Sequence, residues 1–581
     1  MGGMSRRKLW LTSWALVVLW ATSLRAEGIP SIDPLLERPL PPGLVMHTRV
    51  IDPARLEGHP LMQRINALLT TSQEWQRVHQ ETVGLLQFTE AFRFVDHQLK
   101  SVGINEGIKA LWKRGALLAV GEGQNPTSGG VFLAESDASA KAFAEILQQW
   151  AETELGLKYE PQVIDGTPVL AAGDLHVAVL GHRVVWANQA AAMAHVLAHV
   201  KSVPAEAVAA TDPTLLADLH VSLAMVRKNP GFAKGLENPG GDLGLITFFG
   251  GWIDLLRRHE RLSISLHAGA GESLSMKVGF RESTEPRSTA LAPFFVHGQE
   301  QIAPPLIPPG TIQSFSWYRD YIGLWNNREQ LAREEARHQA EQGDEDAGKM
   351  LQVFGTSFTP SELIAQLGPH FRVVVTEQEQ GPYDKVAVDN VLPAAAFLVD
   401  LRDEEKFRKM VDPFVRLLGL IQGGEQRVLT VREDYKGASI LSFVFRETDA
   451  EVRMRARDQY NLRVSAAITR QHFILGTTPT LVQAVIDELD RPADTRPALS
   501  QVTEQQLFYF SALARQFGRM KTGAIRRIVF STGWTVEQAE REYQIALDLL
   551  ASLGEARVQM GDDADGFTIE LLIGPSGGPP P

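Results

Sequence analysis

Residues Val177–Val200 and Ala466–Leu489 lie over one another without a gap. Each reads as an alternating strand, a tight polar turn, a second strand and a helix, with Gly181-His182-Arg183 set against Arg470-Gln471-His472. Ala178 with Ala467 and Val196 with Val485 are the only identities in the block, so what recurs is the order of apolar and polar positions. Such a pattern dictates which faces must be buried, and a core tolerates wide exchange of residues as long as that pattern is kept.

The correspondence extends in both directions. Pro41-Pro42-Gly43 leads into Leu44-Val45-Met46, and Pro308-Pro309-Gly310 leads into Thr311-Ile312-Gln313, in each case a turn feeding a strand. Helical stretches follow over 60–102 and 326–366; the second includes a very polar run, Arg328 to Glu341, closed by Gly343-Asp344-Glu345-Asp346, the composition of a solvent-exposed or partly disordered helix. Residues 111–120 match 367–375 as a helix end entering a buried strand. Gly130–Glu135 matches Ala395–Asp400 as a short apolar strand closed by an acid. Amphipathic helices come next, one with Phe143, Ile146, Leu147 and Trp150 inward, the other (404–418) with Phe407, Met410, Val411, Phe414 and Leu417 inward. Each copy closes on a hairpin: 262–266 returns as 274–280 through Gly269-Ala270-Gly271, and 558–560 returns as 567–571 through Gly561–Gly566. Strict alternation in those strands means one dry face and one wet face, as in an antiparallel sheet covered on one side.

The fold class that follows is α+β: two tandem similar lobes, each a mainly antiparallel sheet packed against helices. Its expected divisions are a signal peptide (1–26), an entry segment (27–42), a first lobe (43–285), a Pro-rich linker (286–307) with the apolar tether Phe294-Phe295-Val296, a second lobe (308–575) and a disordered tail (576–581).

Ser5-Arg6-Arg7-Lys8 ahead of Leu9–Trp20 has the charge and length of a signal peptide, short of the roughly 20 residues of a membrane span. Cleavage after Ala26 is the first choice; an uncleaved anchor and a twin-arginine route stay open. The nearest later apolar run, Gly244–Ile253, stops at Asp254 and reads as a core element, so no membrane span is expected after processing. Removing 1–26 takes away Arg6, Arg7, Lys8 and Arg25 and no acid, which moves the net charge from −12 to −16. A surface of that sign repels nucleic-acid phosphates and anionic lipid. Cysteine is absent, which excludes disulfides, thiol catalysis and cysteine-ligated metal and suits a secreted or bacterial periplasmic location.

The leader, the Pro-Pro-Gly strand entries and the strand–helix–hairpin order resemble an uncharacterised family of exported bacterial proteins, a domain of unknown function, over most of residues 40–575. The resemblance implies an α+β fold and export, and it brings no active-site residues.

His195 and His199 lie one helical turn apart and could share a metal, but Val196 stands where a metalloprotease helix carries its catalytic Glu. Gly561-Asp562-Asp563-Ala564-Asp565-Gly566 lacks the ligand spacing of a calcium loop, since Leu572 holds the position that needs a bidentate Glu. Neither a nucleophile elbow nor a phosphate-binding glycine pattern occurs. Glu135 with Asp137, and Asp400 with Asp403, are candidate acid–base pairs whose commoner use is helix capping. The chain is therefore read as a non-enzymatic binding or envelope-architecture protein with no assigned cofactor, metal or catalytic residue. Its partner is an unknown ligand or envelope protein, not nucleic acid. The alternative is a periplasmic hydrolase, with or without metal assistance, whose site is assembled from distant residues.

Overall fold

The computed structural model describes residues 31–36, 44–51, 53–73, 96–111, 113–121, 128–154, 156, 158–203, 208–209, 212–237, 243–269, 271–296, 302–353, 358–384, 386, 388, 390–411, 428–445, 457–491, 502–563 and 566–575. The leader, the tail, the turn at 564–565 and the second half of the helix expected over 404–418 lie outside them. Among the described residues helices and antiparallel strands occur in comparable measure, 43% and 35%, which makes the class α+β. Among the described residues no helix is long and apolar enough to cross a membrane. The chain divides into two compact units, 1–229 with 260–279, and 230–259 with 280–581.

In the first unit the strands are β1 (Leu44–Val50), β2 (Ala116–Gly121), β3 (Ser128–Leu133), β4 (Glu160–Ile164), β5 (Thr167–Ala172), β6 (Leu175–Leu180), β7 (Arg183–Ala187), β8 (Leu215–Ser222) and β9 (His259–Ala268). They pair antiparallel in the order β9-β8-β1-β2-β3-β7-β6-β5-β4. The ladders shift register between Leu44 and Met46 and between Leu215 and Ala217. Strand β10 (Leu274–Ser283) follows a turn closed by the Gly269 N–H on the Ser273 carbonyl. Alternation along β7 sends Val185 toward helix α2 (Ala190–Lys201), with Met193, Leu197 and Val200, and Val184 toward α1 (Asp137–Glu154), with Ala140, Phe143 and Ile146. Asp165-Gly166 closes the β4–β5 hairpin with both residues at positive φ (49° and 70°), the backbone that a two-residue hairpin turn requires.

The second unit carries β11 (Thr311–Tyr318), β12 (Leu367–Thr376), β13 (Ala394–Leu401), β14 (Val428–Tyr435), β15 (Ala438–Phe445), β16 (Ser465–Thr469), β17 (His472–Gly476), β18 (Val502–Tyr509), β19 (Glu555–Asp563) and β20 (Gly566–Gly574). Their order is β20-β19-β18-β11-β12-β13-β17-β16-β15-β14, again antiparallel, with register shifts between Thr311 and Gln313 and between Val502 and Glu504. Lys436-Gly437, also at positive φ (48° and 80°), closes β14–β15.

Helix α3 (Leu243–Arg258) belongs to this second unit. Gly250 and Gly251 bare its backbone, so Leu291, Phe294 and Phe295 of the proline-rich stretch come within 2.9–3.2 Å of where a Cβ would stand, closer than ordinary van der Waals contact; all three are buried. The polar helix α4 (Glu334–Val353) lies within the stretch expected to be helical and runs through Gly343–Asp346. Within it Asp344 accepts hydrogen bonds from the Ser361 N–H (2.8 Å) and Oγ (2.7 Å). Later helices are α5 (Pro479–Leu489), α6 (Phe510–Arg519), α7 (Lys521–Thr532) and α8 (Val536–Leu553).

Candidate functional site

Strands β1 and β8 bring together side chains some 170 positions apart. His47 faces His220 across the ladder and Arg49 faces Asp218, so alternation puts all four on one face. Ser263 and Ser265 of β9 stand opposite His220 and Asp218. The imidazoles of His47 and His220 stack with centroids 4.6 Å apart. Arg49 grips Asp218 with two guanidinium nitrogens, Nε at 2.9 Å from Oδ1 and Nη2 on Oδ2, while His220 Nε2 lies 3.1 Å from Oδ2. Asp218 is buried.

Burial pushes the Asp218 carboxyl upward, but the hydrogen bonds from Arg49 and His220 outweigh it and hold it at about 2. Burial lowers His47 to about 4, and the neighbouring His220 adds to the effect against the pull of Asp218. Near neutrality the group is a fixed carboxylate, its arginine and an uncharged His47. Asp218–His220 has the form of the orienting half of a hydrolytic triad. The serines opposite are engaged elsewhere. The Ser263 hydroxyl donates to the Gly279 carbonyl (3.3 Å), and that of Ser265 meets His267 Nε2 (2.9 Å). His267 Nδ1 in turn faces Asp212 Oδ2 at 3.4 Å, but the Thr214 hydroxyl stands closer to that nitrogen (3.2 Å) and itself donates to Asp212.

The residues singled out from sequence sit elsewhere. His195 is exposed and His199 half-buried on α2, flanking its buried Met193–Leu197–Val200 face. Among the described residues no group of three or more His, Asp or Glu side chains could hold a metal ion. The matching of Glu135 with Asp400 needs correction by two residues. β3 ends at Leu133, which faces Arg183, whereas Asp400 lies within β13 and faces His472. Glu135 pairs with Lys113 (2.8 Å); Asp400 pairs with Arg372 (3.1 Å) and His472 (3.2 Å), whose bonds and charge hold it below the usual range despite burial. Asp403 caps its helix through the Lys406 N–H (2.9 Å). Asp562, in the acidic turn sequence, pairs with Arg287 (2.7 Å).

Two further buried charge groups escaped the sequence reading. Asp33 takes Arg183 Nε (2.8 Å) and Nη2 (2.5 Å), His182 Nε2 (2.9 Å) and the Leu35 N–H (2.9 Å), while Arg183 Nη1 donates to the Val200 and Val203 carbonyls. This ties the 31–36 segment to the β6–β7 turn and the end of α2. In the second unit Asp254 of α3 is 1% exposed with Arg258 at 3.2 Å, and burial raises its pKa against the pull of Arg258, Arg257 and Arg287. Asp33 and Arg183 stand 150 positions apart and leave no local signal, whereas Asp254 and Arg258 show the i,i+4 spacing of a helical ion pair.

The chain has no match among protein-family models, curated proteins or solved structures.

Proposed function

We propose that this is an exported, non-catalytic protein built from two copies of one α+β plan, serving ligand binding or envelope architecture. The observation that carries the non-catalytic reading is the fate of the charged side chains. Asp218, Asp33, Asp400 and Glu135 are each held by an arginine or a lysine from another stretch of chain, and Asp403 caps its own helix. The serines beside the Asp218–His220 pair bond to Gly279 and His267 instead.

The two-copy reading rests on more than element order. Strands β1–β9 and β11–β19 follow one sequence of pairings, with the β1/β11 and β8/β18 register shifts at matching places and a two-residue positive-φ turn after both β4 and β14. Carried across that register, His47, Arg49, Asp218 and His220 fall on Ser314, Ser316, Gln505 and Leu507 respectively, so the charged group is private to one copy. Superposition of the two halves in an experimental structure tests this part. Sequencing the N-terminus of exported protein tests the leader, with Glu27 as the expected first residue.

A second reading, a hydrolase, is favoured by the Asp218–His220 pair beside a neutral His47, and by the Ser265–His267 contact on the same face. A broad hydrolase substrate panel decides between them: no turnover supports binding or architecture, and turnover abolished by His220→Ala or Ser265→Ala overturns it. Metal assistance through His195 and His199 has its own check, since zinc titrated calorimetrically should release no heat that His195→Ala removes.

A further inference from the structure

Residues 505–536 contain Arg515, Arg519, Lys521, Arg526 and Arg527 and no acid, within a chain of net charge −12. Arg515 and Arg519 are taken up by Glu377, and Lys521 faces Glu540 of α8 at 3.8 Å. Arg526 and Arg527 are exposed on α7 and make no ion pair among the described residues. Helical spacing puts Phe530 one turn beyond both, on the same face. Phe530 is 84% exposed, the most of any large apolar side chain described, and Val536, just past the turn, is 51% exposed. Gly533 in the left-handed region (φ 72°) and the Thr535–Gln538 capping box fix the α7–α8 tip, so these groups are presented already ordered.

We propose that the α7–α8 tip docks on an anionic lipid surface, Phe530 and Val536 entering the headgroup–acyl boundary while Arg526 and Arg527 meet lipid phosphates. Their aliphatic stems lie along the apolar layer and their guanidinium groups bind phosphate through two nitrogens at once. Two apolar side chains and two arginines fall well short of the roughly 800 Å² per partner of a stable protein interface. A duplex would need a longer stripe of unpaired bases than two. Net charge summed over the chain hides this patch, since screening confines each charge to about 10 Å.

The absence of cysteine makes Ser531→Cys a unique spin-label site in the full chain. On vesicles of phosphatidylglycerol and phosphatidylcholine the label should become shielded from an aqueous relaxation agent, and on phosphatidylcholine alone it should not. A label at the exposed Glu145→Cys on α1 should stay in water on both. Arg526→Gln with Arg527→Gln should weaken tip immersion roughly 25-fold, about fivefold per charge, and Phe530→Ser by about a further tenfold. A Ser531 label that stays in water while the chain is vesicle-bound overturns the proposal, because attachment then runs through the leader. Concentration-dependent spin–spin broadening without lipid, or immobilisation by duplex DNA in place of vesicles, also overturns it.

Discussion

His47 and Asp218 are both held in forms that acid undoes. The folded chain disfavours protonated His47 (about 4, against 6.5 ordinarily), so the stability due to that site is complete above pH 6.5 and is lost as pH falls toward about 4. Asp218 has its carboxylate favoured in the fold (about 2, against 3.8), so its contribution is present above pH 3.8 and is lost toward about 2. The two losses follow one another, each on the order of 2–3 kcal/mol. Urea midpoints followed from about pH 7 down to about pH 4 should fall, and His47→Gln should flatten that fall; an unchanged slope in the variant would place the acid sensitivity elsewhere. Strain is local too. Arg470 and Gln471 adopt positive φ (53° and 59°) in the β16–β17 turn, a region that L side chains enter at a cost and glycine does not. Gln471→Gly should therefore raise stability by roughly 0.5–1 kcal/mol, read as a higher melting temperature.

Single elements show where the sequence is legible and where it stops. Alternation with flanking glycines located the Val177–Val200 strands, turn and helix, because a hairpin turn and a one-sided strand leave local signatures. The apolar stripe of α1 was legible for the same reason, and Phe143 and Ile146 are buried. The charged face of β1 and β8 was not, since polar residues at alternate positions usually mark the solvated side of a strand, and only pairing across 170 positions turns them inward. A two-residue slip between Glu135 and Asp400 came from anchoring on chemical type where register decides. Glycine shows the same limit: the run Gly244–Ile253 reads as a core element, but only the structure shows that Gly250 and Gly251 form its docking surface against Leu291, Phe294 and Phe295. At Gly250 a Cβ would stand 2.9 Å from Leu291 Cδ2, so Gly250→Val forces branched carbon into occupied space and should destabilise by about 1–3 kcal/mol. A melting temperature equal to wild type would show that the proline-rich stretch yields instead of the helix.

Across the molecule, hydrophobic periodicity announced that α3 is buried but not against what. Its apolar face (Ile246 and Leu255, 3% and 1% exposed) belongs with residues 280–581. Cutting the chain after residue 285 should leave 27–285 aggregation-prone and should cost the remainder about 1.5–3 kcal/mol for each large side chain lost. Co-expression of the two pieces should recover soluble protein, and a soluble, cooperatively unfolding 27–285 fragment would contradict that. The same excursion bears on how the chain acquires its fold as it is synthesised. Ribosomes deliver the N-terminus first, so α3 emerges before residues 289–295, its eventual neighbours, and must wait with its greasy side bare. The strand that completes the first sheet, β9, arrives only after that helix. Chain order therefore disfavours a piece-by-piece assembly and predicts a nascent stage with an apolar helix exposed, which a holding chaperone could grasp.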